Sequence, residues 1–173
     1  MRDKLRRRYQ VQKEVTRNGY FEGEFALSEL ARLEELLHPE GSATGGRKIA
    51  VRFEFIRNEF EIPMVVGQLQ TSLELECQRC LKALEMPITL DFRLMIDASD
   101  ELVRESSVDT LYSEDGCIDI VEVIEDELIL AIPLVALHED TACNEHWRLS
   151  TPTSETTDKE NPFAVLQQLK TTD

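Results

Sequence analysis

The chain has 173 residues, 42% of them hydrophobic, with a formal net charge of −15, which suits one domain with a core of its own and argues against wholesale disorder. No stretch approaches ~18 consecutive apolar residues, so no membrane span is expected, and the charged start Met1-Arg-Asp-Lys-Leu-Arg-Arg-Arg8 lacks the apolar run of a secretory signal. The chain therefore reads as cytoplasmic, a compartment in which its four cysteines are metal ligands or reduced core thiols rather than disulfides.

Residues 1–20 read as a basic arm with little apolar periodicity. Residues 1–17 hold seven Lys/Arg against Asp3 and Glu14, a net of +5. The arm is the chain's one expected contact with RNA, made by Arg6, Arg7 and Arg8. Ser28 then suits the N-cap of a helix over Glu29–Leu37, with Leu30, Leu33, Leu36 and Leu37 on one face. The segment His38-Pro-Glu-Gly-Ser-Ala-Thr-Gly-Gly46 ends that helix in a loop. His38 reads as a helix-end residue, suited to the dipole there.

The period then switches to two. Ile49, Val51, Phe53 and Phe55 alternate with polar or small residues. Arg57-Asn58 reads as a tight turn, and Phe60, Ile62, Met64 and Val66 as the next apolar face. Pro63 confines that strand to an edge or a bulge. Gly67 marks a bulge before Leu69–Leu75. After Cys77-Gln-Arg-Cys80 the alternation returns, with Leu84, Met86, Ile88, Leu90, Phe92, Leu94 and Ile96 on one parity. The expected fold is α+β: a curved antiparallel sheet of about four or more strands, with short N- and C-terminal helices.

The C-x-x-C lies between two strand-patterned segments and so reads as a knuckle, a turn that brings two thiolates to one zinc ion. A redox pair uses the same spacing, but on a strand-to-helix turn, and no helix pattern follows here. His138 and Cys143 supply two more ligand types, so Cys77, Cys80, His138 and Cys143 form a chemically reasonable zinc tetrahedron, with His146 close behind. The order of readings is a metal-free turn held by packing, then zinc, then a redox pair. Cys117, between Gly116 and Ile118, reads as a free core thiol.

Residues 97–145 carry fifteen Asp/Glu against Arg104 alone, a net of −14, a surface that repels bare phosphate backbone and attracts a basic protein. Within it residues 97–116 read as an exposed acidic connection. Asp119 opens a helix with Glu122 at the capping-box position. Ile120, Val121, Ile124 and Leu128 face the sheet, and Glu122, Glu125 and Asp126 the solvent. These three carboxylates are the expected partner-binding residues; as an acid–base or Mg²⁺ cluster they have nothing to pair with. The organisation is thus a 1–20 arm, a single domain over 21–147, a flexible linker over 148–160 and a docking helix over 161–170, opened by Asn161-Pro162. There is no phosphate-binding loop and no nucleophile elbow. His138 and His146 are the only pair for a ribonuclease, in a segment that repels RNA.

Taken together, Glu76-Cys-Gln-Arg-Cys-Leu81, Glu125-Asp-Glu-Leu-Ile-Leu-Ala-Ile-Pro133, His138, Cys143, Asn161-Pro-Phe-Ala-Val-Leu166 and Leu169-Lys170 follow an order that resembles the YceD-like family, the large ribosomal RNA subunit accumulation proteins. The resemblance spans roughly Phe21 to Lys170. It implies a role in synthesis, processing or stability of large-subunit (23S) ribosomal RNA. It also implies a second cysteine cluster after the Pro-ended helix, where this chain keeps only His138, Cys143 and His146. Composition adds a mechanism: a non-enzymatic acidic adaptor for a basic ribosomal protein or assembly factor. The alternatives are a ribonuclease acting on ribosomal RNA precursors and a zinc or thiol redox adaptor.

Overall fold

The computed structural model describes residues 5–38, 46–97, 109–113 and 115–144. The chain divides into two units, Met1–Glu139 and Asp140–Asp173. In the first, the elements are β1 (Arg8–Gln10), α1 (Val11–Thr16), β2 (Tyr20–Ala26), a 3₁₀ turn (Leu27–Glu29), α2 (Ala31–Glu34), β3 (Lys48–Arg57), β4 (Pro63–Glu76), β5 (Ala83–Asp97), β6 (Thr110–Tyr112), β7 (Cys117–Asp119) and α3 (Ile120–Ala131). The described part of the second unit is a 3₁₀ turn, Thr141–Cys143, in which the Asp140 carboxylate accepts from the Ala142 amide at 2.7 Å. The linker and docking helix expected over 148–170, and His146, lie outside the described residues.

Five strands form one sheet in the order β2-β3-β4-β5-β6, and β1 pairs with β7 in a second, two-stranded sheet. Strands β2 to β5 are antiparallel, but β6 runs parallel to β5. The sheet is therefore mixed, with its parallel strand inside what the sequence suggested was an exposed connection. Strands β4 and β5 form a long hairpin whose last pair is Glu76↔Ala83. The inner face carries Ile49, Val51, Phe53, Phe55, Val65, Leu69, Leu73, Ile88, Phe92 and Leu94 into one core with Ile120, Val121, Val123, Ile124 and Leu128 of α3. The alternating pattern of β3 thus buries one side chain in two, as a sheet covered on one face requires, whereas β5 ends with Leu94, Met95, Ile96 and Asp97 all buried.

Two features of β4 depart from the expected pattern. Asn58 accepts from the Phe60 and Ile62 amides, both at 2.9 Å, so the connection is a loop rather than a tight turn, and Phe60 is exposed within it. The strand therefore begins at Pro63, where the missing N–H is tolerated, and Val65 rather than Val66 faces inward. A shift of one residue exchanges the two faces of a strand. Gly67 makes no bulge: it pairs with Phe53 and Phe92 in unbroken register. A Cβ there would meet Phe92 Cζ at 2.5 Å, the Arg52 carbonyl at 2.6 Å and Phe53 Cβ at 2.8 Å. Glycine is required because two large rings close over the backbone, which is a packing demand and not a conformational one.

The basic arm is corrected over its described part. Tyr9, Val11 and Val15 are buried, and Tyr9 joins Phe21, Phe53 and Phe55 in an aromatic cluster with centroids 4.6 to 5.6 Å from its ring. The apolar residues are too few for a periodic signal, so only the tertiary contact reveals them. Ser28 is likewise inside a 3₁₀ turn rather than at an N-cap. The Ala26 amide is instead met by the Glu29 carboxylate at 2.9 Å, because the chain breaks its helix at Leu30 to seat Leu27, Leu30 and Leu33 in the core.

Candidate metal centre

Strand β4 delivers Cys77 to the end of the long hairpin, and the chain returns into β5 within six residues. The Cys77 amide donates to the Lys82 carbonyl at 3.0 Å, and the Leu81 amide to the Cys77 carbonyl at 2.8 Å. Closing so short a loop puts Leu81 at φ 59°, a conformation that costs a side-chain-bearing residue about 1–2 kcal/mol. The segment after α3 lies against this turn. The Gln78 amide donates to the Ala136 carbonyl at 2.9 Å, Gln78 Nε2 to the Leu134 carbonyl at 3.0 Å, and Arg79 to the His138 carbonyl at 3.3 Å.

These bonds bring His138 over the thiols. Its Nε2 lies 3.1 Å from the Ala83 carbonyl. A carbonyl only accepts, so Nε2 carries the proton and Nδ1 presents its lone pair, 3.4 Å from Cys80 Sγ. A metal-binding histidine is held in this way, its other nitrogen donating to a backbone carbonyl. The ligand atoms of Cys77, Cys80 and His138 lie within 4.8 Å of one another. Tetrahedral zinc with bonds of about 2.3 Å to sulfur and about 2.0 Å to nitrogen needs ligand separations of roughly 3.5–3.8 Å, so small side-chain movements close the set on an ion.

The turn also prepares a thiolate. Cys77 is buried, and burial, the largest single influence, pushes its pKa up. Even so it is held at about 5, because the His138, Arg79 and Cys80 amides and the Cys80 side chain donate towards the sulfur. Hydrogen bonds to the charged form favour it, and the thiolate is the form that ligates metal. The C-x-x-C spacing made the Arg79 and Cys80 amides foreseeable. The His138 amide and the Ala83 carbonyl come from the tertiary fold and carry no sequence signal. None of the four cysteines is in a disulfide; Cys117 is half-buried in β7, and Cys143 ends the 3₁₀ turn of the second unit.

The expected partner-binding carboxylates separate. Glu122 and Asp126 are exposed, but Glu125 is 7% exposed, which corrects its place on the wet face. Its carboxylate accepts from the Arg32 and Leu33 amides at 2.7 and 3.2 Å and from Arg32 Nε at 2.8 Å. Burial pushes its pKa up, yet these donors hold it below the ordinary value. A stripe slightly wider than the sequence suggested, including Val123, turns Glu125 towards α2, whose open N-terminal amides attract a carboxylate. Asp126 is paired with the same Arg32 at 2.8 Å.

The arginines assigned to RNA are also engaged. Arg6 pairs with buried Glu14 at 3.1 Å and lies over the Tyr9 and Phe21 rings. Arg7 pairs with Asp119 at 2.6 Å, and Arg8 with Asp115. Among the described residues no helix is long and apolar enough to cross a membrane.

A family model described as large ribosomal RNA subunit accumulation protein YceD matches residues 65–170, a span that contains the cysteine turn, α3 and His138. The large ribosomal RNA subunit accumulation protein YceD of Haemophilus influenzae is 30% identical over 166 residues, 91% of each chain. No solved structure matches. The chain belongs to the YceD family of large ribosomal RNA subunit accumulation proteins.

Proposed function

We propose that this protein supports accumulation of large-subunit (23S) ribosomal RNA in the cytoplasm as a non-enzymatic adaptor. It does so by holding a basic ribosomal protein or processing factor rather than by cutting RNA. The observation that carries the role is family membership over nearly the whole chain. The mechanism rests on charge. Arg6, Arg7 and Arg8 are each spent on a carboxylate of the protein itself, which leaves a chain of net charge −15 ill suited to grip a phosphate backbone. RNA contact is then indirect, through the partner. His138 is committed to the Ala83 carbonyl and to Cys80, a poor arrangement for a general base.

The cysteine turn, in this reading, holds one structural zinc. Cys77, Cys80 and His138 supply three ligands and Cys143 the fourth. Cys143 follows His138 by five positions, and a chain of that length reaches at most ~18 Å. A structural zinc site takes four ligands and leaves no open position, which favours stability over catalysis. The test is affinity capture with and without ribonuclease, on protein purified without chelator. The reading expects a basic protein to remain bound after ribonuclease. Loss of every partner on ribonuclease treatment, or cleavage of precursor RNA by the purified protein, contradicts it.

A further inference from the structure

Beside the cysteine turn the usual sorting of side chains is reversed. In the segment that follows α3, the small Ala136 is buried, while Leu134 is 96% exposed and Val135 and Leu137 also stand in solvent. Leu130, the penultimate residue of α3, is 80% exposed. The turn itself adds Leu81, 65% exposed and held outward by a left-handed backbone. The turn and the segment are joined through Gln78 by the bonds to Leu134 and Ala136. A monomer rarely leaves so many large apolar residues together in water unless they meet something.

The rim says what they meet. From Cys117 to Glu139 the chain has no lysine or arginine. Glu122, Glu127 and Glu139 make no ion pair among the described residues, and burial first, then the charges of Asp109 and Asp126, push the Glu127 pKa up. The turn itself carries two basic residues, Arg79 and Lys82, and Arg79 is already bonded to the His138 carbonyl.

We infer that Leu81, Leu130, Leu134 and Leu137 form a docking surface for a segment of a partner protein that is apolar at its centre and flanked by lysine or arginine. This deepens the adaptor reading and rests on it. The leucines supply the area removed from water, and the carboxylate rim selects cationic flanks and rejects acidic ones. The cysteine turn is then the rigid support of the surface: it fixes Leu81 directly and the 134–138 segment through Gln78 and His138.

The test places the photo-cross-linker benzoylphenylalanine at position 134 and, as a control, at exposed Phe60, in the full chain in cells. Neither position contributes to the core, so folding is not at stake. The inference expects cross-linked peptides from another protein at position 134, apolar where they attach and flanked by basic residues. Their yield should fall at least about tenfold at Phe60 or on adding Leu137→Asp, the change that ~1.4 kcal/mol of lost affinity gives. Cross-links confined to this chain, whether to residues 161–170 or to a second copy, overturn it. So do links to nucleic acid, links to segments without basic flanks, equal yields at both positions, or none. Wild-type protein that keeps its ribonuclease-resistant partner while Leu134→Asp/Leu137→Asp keeps it equally well refutes the surface and leaves the adaptor reading standing. Absence of any partner for the wild type refutes the adaptor reading itself.

Discussion

Removing the Glu125 carboxylate should weaken the whole fold, although it opens a run of three consecutive acidic residues, Glu125-Asp126-Glu127, that look interchangeable. Glu125→Ala leaves the Arg32 and Leu33 amides without their acceptor. A hydrogen bond to a charged group contributes about 1.5 kcal/mol at the lower end of the usual range, so two give about 3 kcal/mol. The Arg32 side chain is 55% exposed, so its ion pair is screened and adds at most ~0.5 kcal/mol. For a domain of this size about 3 kcal/mol corresponds to a fall of roughly 6–12 °C in Tm. Glu125→Gln keeps one acceptor and the shape and should lose about half as much. Glu125→Lys should be worse than alanine, because it buries a cation against Arg32. Glu122 is exposed and among the described residues its charge reaches only the solvent-exposed Arg7 guanidinium, so Glu122→Ala should stay within ~0.5 kcal/mol. Urea denaturation followed by circular dichroism measures all four. A Glu125→Ala protein as stable as Glu122→Ala would show that the carboxylate does not cap α2. One consequence is practical: charge reversal meant to probe partner binding belongs at Glu122, Glu127 and Glu139, since reversal at Glu125 confounds binding with unfolding.

Other outcomes follow from the same geometry. Gly67→Ala should destabilise by about 1–3 kcal/mol, since its methyl would press on the Arg52 carbonyl and two phenylalanines; unchanged stability in thermal melts would refute the close approach. Leu81→Gly relieves the φ 59° backbone and should leave stability unchanged or raise it by up to about 1 kcal/mol, while cross-linking at position 134 weakens. Zinc should copurify at about one ion per chain, and Cys77→Ser, His138→Ala and Cys143→Ala should each release it and lower Tm; elemental analysis that finds no metal, or a Cys143→Ala protein that retains it fully, contradicts the site. In metal-free protein, Cys77 has a folded pKa of about 5 against 9.0 for an ordinary thiol. Its contribution is therefore present in full above about pH 9 and lost as pH falls towards 5. The stability difference between wild type and Cys77→Ser should grow across that window, and a flat difference refutes the thiolate.

The parts of this molecule that declare themselves in sequence are those governed by local periodicity. Strands β3 and β5 alternate because one face of the sheet is covered, and α3 opens on Asp119, whose carboxylate accepts from the Val121 amide at 3.0 Å. The C-x-x-C is legible because two thiols at that spacing converge on any tight turn. What escaped is set by contacts distant in the chain. Tyr9 is apolar context only once Phe21, Phe53 and Phe55 surround it. Glu125 reads as solvated until α2, more than ninety residues earlier, offers its amides. Gly67 reads as a bulge because glycine in a strand has two causes, and only the neighbouring strands decide between them. His138 was legible as a ligand type, but its tautomer depends on the Ala83 carbonyl, which no pattern announces.

The central claim, a role in large-subunit ribosomal RNA accumulation exerted through a protein surface, is tested most directly in cells lacking this protein. The measurement is the ratio of large- to small-subunit ribosomal RNA, taken during slow growth and cold stress as well as fast growth. The account predicts a lowered ratio that the wild-type chain and Phe60→Asp, a change at an exposed position off the surface, restore and Leu134→Asp/Leu137→Asp does not. Equal ratios with and without the protein under every condition would contradict it.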